Sequence, residues 1–177
     1  MPASSARPEP ADGATTPGAS IAAAPDATVR PARRRTILLA TDLSAASAPA
    51  ESEAIALAGD LRSSLLILSV IDPKSLRTGF GQWTQRIDQA RASLEDRSRN
   101  LVGRARVAGV PVRLLIWEGD PAESIVDAAV AEGVDYIVVG SHGRRGVDRI
   151  VLGSISDQVI RTATVPVIVA RQREARA

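Results

Sequence analysis

The chain has no cysteine among its 177 residues. Disulfides, thiolate metal centres and cysteine nucleophiles are therefore excluded, and the lack of cross-links agrees with a cytoplasmic setting. Histidine is almost as scarce: His142 stands alone, which rules out a multi-histidine metal centre and leaves little for histidine-based acid–base work. No Ser, Cys or Asp is placed by the sequence to form a triad with it, so His142 reads as a non-catalytic loop residue. Aromatics amount to one Phe, one Tyr and two Trp, too few for a platform on which nucleic-acid bases stack. No apolar run approaches a membrane span, and Ile21 to Ala24 is too short for a signal-peptide core. A Walker-type G-x4-G-K-(S/T) is also missing.

The sequence pI is near 9.9, yet the positive charge sits at the ends. Residues 1–35 hold five Arg against Glu9, Asp12 and Asp26, and residues 171–177 hold three Arg against Glu174, so each end carries +2. The whole chain is also +2, which leaves the segment between them at −2. These ends read as solubilising tails, and neither a nucleic-acid nor a membrane partner is expected. Residues 1–35 are rich in Ala, Pro, Ser, Thr and Gly with hardly any large apolar side chain, so they cannot offset the entropy of ordering and are expected to be disordered. Residues 36–170 are apolar enough to bury one core and form the expected domain, followed by the basic tail 171–177.

Within that domain strands and helices alternate. Thr36 to Thr41 reads as an apolar strand closing on Asp42-Leu43-Ser44, and a helix follows from about Pro49 to Leu61 with Ser47 and Pro49 as start signals. Leu65 to Ile71 is continuously hydrophobic apart from Ser69, as a strand covered by helices on both faces should be. A loop with Gly79-Phe80-Gly81 leads to a long helix, about Gln82 to Ala108, whose apolar spacing is broken only by a polar turn at Arg97-Ser98. Val112 to Trp117 is the third strand, and Arg113 within it suggests a sheet edge. Asp120-Pro121-Ala122-Glu123 combines an N-cap acid, proline at the first helical position and glutamate at the third, which predicts a helix to about Glu132. Tyr136 to Val139 is a buried strand, Ser154 to about Thr162 a helix, and Val165 to Ala170 a last, wholly apolar strand. This alternation argues for one doubly wound parallel sheet with helices on both faces.

The stretch between the last two strands carries the chemistry. Gly140 and Gly143 follow a strand, and Gly153-Ser154 opens a helix whose free N–H groups and positive dipole end favour an anion. A strand, a glycine-rich turn and a helix N-terminus together make a phosphate cradle. Arg144, Arg145 and Arg149 lie within the same loop, where they could offset phosphate charge or simply be solvated. Ser154 could also be an ordinary N-cap, and Asp42 could merely brace the turn after its strand.

Gly140, two residues, Gly143, nine residues and Gly153-Ser154 match G-x2-G-x9-G-(S/T), and over roughly Thr36 to Ala170 the chain resembles the ATP-binding branch of the universal stress protein family. The resemblance implies a five-stranded sheet of order 3-2-1-4-5, which the sequence pattern alone would not fix. It implies that Asp42 binds the ribose or adenine side of ATP and that the backbone of Val70 faces the adenine edge. Gly140 and Gly143 would line ribose and phosphates, with Gly153, Ser154 and Ser156 holding the phosphate tail and Arg149 among the loop arginines nearby. The family usually has Asp-Gly-Ser after its first strand, whereas Asp42-Leu43-Ser44 keeps the acid and hydroxyl and loses the glycine. A divalent ion such as Mg²⁺ would accompany the triphosphate, held mostly by phosphate oxygens and water. The apolar last strand, at a sheet edge in that order, is expected to pair with its equivalent in a homodimer. The function so implied is that of a cytoplasmic, nucleotide-dependent stress sensor or regulator, with a regulatory protein as a further partner. Two alternatives are a nucleotide-independent interaction module and a slow ATPase.

Overall fold

The computed structural model describes residues 33–76, 83–141 and 152–171. The elements run β1 (Thr36–Ala40), a 3-10 turn (Ala45–Ser47), α1 (Ala48–Asp60), β2 (Ser64–Ile71), a second 3-10 turn (Pro73–Leu76) and α2 (Trp83–Val107). They continue with β3 (Val112–Glu118), α3 (Pro121–Ala131), β4 (Tyr136–Gly140), α4 (Ser154–Thr162) and β5 (Val167–Ala170). The five strands form one sheet in the order β3-β2-β1-β4-β5, with every neighbouring pair parallel. The fold class and the strand order expected from the resemblance are therefore those observed.

Alternation along the strands divides the interior into two layers. Ile37 and Leu39 of β1 and Leu65 and Ile67 of β2 pack with Ala50, Ala54 and Ala58 of α1 and Leu101 and Ala105 of α2. Leu38, Leu66 and Leu68 point the other way and pack with Ala122, Ile125 and Ala128 of α3 and Val159 of α4. Ile37, Leu38 and Leu39 have no exposed surface, as befits the central strand, and each contributes about 1.5–3 kcal/mol of burial. The small Ala stripe of α1 lets that helix lie close to the sheet. On α2, the polar turn noted in the sequence splits in two. Ser98 is buried and satisfies its hydroxyl on the Glu95 carbonyl at 2.7 Å, while Arg97 faces outward.

Capping chemistry sets the start of α3 but not that of α1. The Asp120 carboxylate accepts from Ala122 N at 3.2 Å at the start of α3, as the sequence predicts. Ser47 precedes α1 but makes no cap bond; its hydroxyl donates to Asp42 instead. β5 begins at Val167, two residues later than expected, because Pro166 has no N–H to add to the ladder, although its carbonyl still accepts from Ile137 N at 3.0 Å. β3 lies at one edge, in line with the charged Arg113 within it. Among the described residues no helix is long and apolar enough to cross a membrane.

Candidate functional site

Winding reverses between β1 and β4. From β1 the chain steps outward to β2 and β3, and it then returns to place β4 and β5 on β1's other side. Ala40 stands beside Val139 in the register, so β1 and β4 leave the sheet side by side, one into Thr41-Asp42 and the other into Gly140-Ser141. In sheets of this kind, the crevice beyond the carboxyl ends at such a reversal is where ligands are held.

On the β1 side, Asp42 sits in a tight turn. Its Oδ1 accepts from Ser44 N at 3.0 Å and from the Ser47 hydroxyl. Leu43, where the family usually carries glycine, has φ +55°, the left-handed region that a side chain enters only at a cost. Thr41, 7% exposed, accepts from Leu43 N at 2.9 Å through its hydroxyl and donates to Glu51 Oε1 at 3.1 Å. Glu51 is itself buried on α1, with Arg104 of α2 on its second oxygen at 3.4 Å. Arg97 of α2 donates to the Asp42 carbonyl at 2.8 Å.

On the β4 side, the first turn of α4 is tied straight to the strand end. Ser156, buried, donates from Oγ to the Gly140 carbonyl at 2.6 Å, and Gly153 N donates to the Ser141 carbonyl at 3.0 Å. Gly153 is the N-cap and has no side chain with which to cap. Ser154 is the first helical residue and is exposed. The first intrahelical bond is Asp157 N to the Gly153 carbonyl at 2.9 Å, so the N–H groups of Ser154, Ile155 and Ser156 have no acceptor in their own helix. They and the dipole make the electropositive tip. Asp157, in the same turn, is drawn along the helix into an ion pair with Arg161.

Val70 lies near the carboxyl end of β2, the strand next to β1. Ser64 N bonds the Arg35 carbonyl and the Leu68 carbonyl accepts from Thr41 N, so the even residues of β2 direct their backbone polar groups towards β1. Val70 shares that direction but lies past the last residue of β1. Asp42, Val70, Gly140, Gly153, Ser154 and Ser156 are thus gathered at one end of the sheet. Gly143 and Arg149, with His142, Arg144 and Arg145, lie outside the described residues.

Several residues of this region escape a reading by sequence. Thr41, Ser44 and Ser47 carry a partial signal, since hydroxyls flanking an acid after a strand commonly build such turns. Glu51, Arg97 and Arg104 carry none, because nothing local marks a helix residue that reaches another element.

A five-stranded parallel sheet wound outward from β1 in both directions, with a helix N-terminus moored at the reversal, defines the class: a doubly wound α/β protein. The family model "Universal stress protein family" matches residues 33–171, and the chain belongs to that family. A universal stress protein of Methanocaldococcus jannaschii is 30% identical over 138 residues, covering 77% of this chain and 81% of its own. The solved universal stress protein UspA of Lactobacillus plantarum superposes with TM-score 0.69 at 26% identity, covering 79% of this chain and 99% of its own. A universal stress protein solved in complex with cAMP shares the fold at TM-score 0.59 and 23% identity, covering 78% of this chain and 97% of its own.

Proposed function

We propose that this chain binds ATP in the crevice between the β1 and β4 ends and acts as a nucleotide-dependent sensor in the stress response. The observation that carries this is the mooring of α4. Ser156 and Gly153 fasten its first turn to β4, and three N–H groups of that turn have no acceptor in the helix, beside the turn that holds Asp42. An anion docks there without rearrangement of the helix. The glycine spacing from Gly140 to Gly153 supports the same ligand, as does the solved family member that holds cAMP. In this reading Asp42 and the Val70 backbone take the nucleoside end, and the Ser154 to Ser156 amides take the phosphate tail. Gly143 and Arg149 belong to the same proposal. A divalent ion such as Mg²⁺ enters with the triphosphate, held by phosphate oxygens and water. Among the described residues no group of three or more His, Cys, Asp or Glu is placed to hold a metal by itself.

Protein denatured directly after purification should release adenine nucleotide, or the empty protein should bind ATP in a calorimeter. Asp42→Ala and Gly143→Glu should each weaken that binding about tenfold or more, the loss expected when a polar contact goes or a bulky anion enters a phosphate cradle. Unchanged affinity in both would overturn the assignment.

The sensor is proposed to be a homodimer joined through β5, and one detail supports this. Pro166 and Ala170 turn their carbonyls to β4, where they accept from Ile137 N and Ser141 N. The outward groups are then those of Val167 and Val169, which keep their N–H donors. Proline therefore does not interrupt the free edge. Sedimentation as a monomer at micromolar concentration would sink this part of the proposal.

A further inference from the structure

The peptide unit joining Asp42 to Leu43 is gripped at both ends. Its carbonyl accepts from Arg97 Nη2 at 2.8 Å, across 55 residues of sequence. Its N–H donates to Thr41 Oγ1 at 2.9 Å. Thr41 is held in turn by Glu51 at 3.1 Å, and Glu51 by Arg104 Nη1 at 3.4 Å, while Arg104 Nη2 also reaches Ser52 Oγ at 2.9 Å. Arg97 and Arg104 stand two turns apart on α2. One helix thus braces both sides of one peptide plane.

That plane needs bracing because of the residue after it. Leu43 at φ +55° is in a conformation glycine adopts freely and leucine resists. Turning the plane over would relieve Leu43, and it would cost both grips on the peptide. It would also disturb the turn in which Ser44 N donates to Asp42 Oδ1 at 3.0 Å. The aim of the Asp42 carboxylate therefore depends on a strained peptide that α2 holds in place.

We propose that Arg97 is a positioning residue for the nucleotide crevice: acting through the Asp42–Leu43 peptide, it pre-organises Asp42 where this chain lacks the glycine that would permit the turn without strain. The proposal rests on Asp42 being a nucleotide contact, as argued above. Arg97 is exposed and outside both core clusters, so removing it should leave the thermal midpoint nearly unchanged.

The test compares the full chain with Arg97→Ala, Leu43→Gly, their double mutant and Asp42→Ala, reading ATP affinity by calorimetry and hydrogen exchange of the position-43 amide in the nucleotide-free protein. Arg97→Ala should speed that exchange about tenfold and weaken ATP binding about five- to tenfold, as expected when a pre-organised contact is loosened. Leu43→Gly should restore affinity in the Arg97→Ala background to within about twofold of Leu43→Gly alone, a non-additivity that marks coupling through one peptide. If Arg97→Ala weakens ATP binding and Leu43→Gly does not restore it, Arg97 acts by direct charge and the positioning role is overturned. If Asp42→Ala loses binding while Arg97→Ala changes neither readout, the role is overturned and the crevice assignment stands. If Asp42→Ala also leaves affinity unchanged, the crevice assignment fails. The exchange rate at position 43 then decides by itself whether Arg97 holds the peptide.

Discussion

Two serines of the same helical turn should respond unequally to the same change. Ser156 is 7% exposed and donates to the Gly140 carbonyl at 2.6 Å. Ser156→Ala removes the donor and leaves a carbonyl at the strand end short of a partner. A net hydrogen bond is worth about 0.5–1.5 kcal/mol and an unsatisfied buried group costs about 1–3 kcal/mol, so a loss of about 1–2 kcal/mol is expected. Unfolding entropy scales with chain length, and for a folded unit of this size that loss corresponds to a thermal midpoint about 3–7 °C lower. Ser154 is exposed and makes no cap bond; Ser154→Ala should stay within about 0.5 kcal/mol of the parent, since alanine is the better helix former. Differential scanning calorimetry with urea midpoints would measure both. Because Ser156 moors the helix tip, Ser156→Ala should also weaken ATP binding. Equal midpoints for Ser156→Ala and the parent would refute the reasoning, for they would mean that the bond to Gly140 holds nothing in place.

Two further outcomes can be measured in the same way. Gly119 has φ +151°, and a Cβ there would lie 2.8 Å from Ser124 Oγ; the serine can rotate away, so backbone strain dominates, and Gly119→Ala should cost about 1–3 kcal/mol, with little recovered by adding Ser124→Ala. Full recovery in that double mutant would show the contact, not the backbone, to be decisive. Glu51→Ala strands the Thr41 hydroxyl and frees Arg104, which is 37% exposed and can rehydrate; about 1–3 kcal/mol should be lost, with Glu51→Gln losing less. A parental urea midpoint for Glu51→Ala would rule that network out as a stabilising element.

Local order was legible in the residues themselves. Alternation of apolar runs with helical spacing marked each strand and α-helix among the described residues, though neither 3-10 turn; the Asp120-Pro121 pair fixed the start of α3, and α4 spans the expected Ser154 to Thr162. These features follow from hydrogen bonds and side-chain periods within a few residues, which a sequence states directly. The glycine spacing and the missing cysteines narrowed the chemistry for the same reason: they concern what each residue type permits. Strand order, by contrast, depends on which buried faces meet, and the pattern of the chain is silent on that. The left-handed turn at Leu43 went against its residue type, because Thr41 on one side and Arg97 on the other hold the peptide before it. The unlike duties of Ser154 and Ser156, and the harmless placing of Pro166, were likewise settled by packing. Each depends on partners that lie far along the chain or on which side of a strand a group points, and only the assembled sheet brings those partners together.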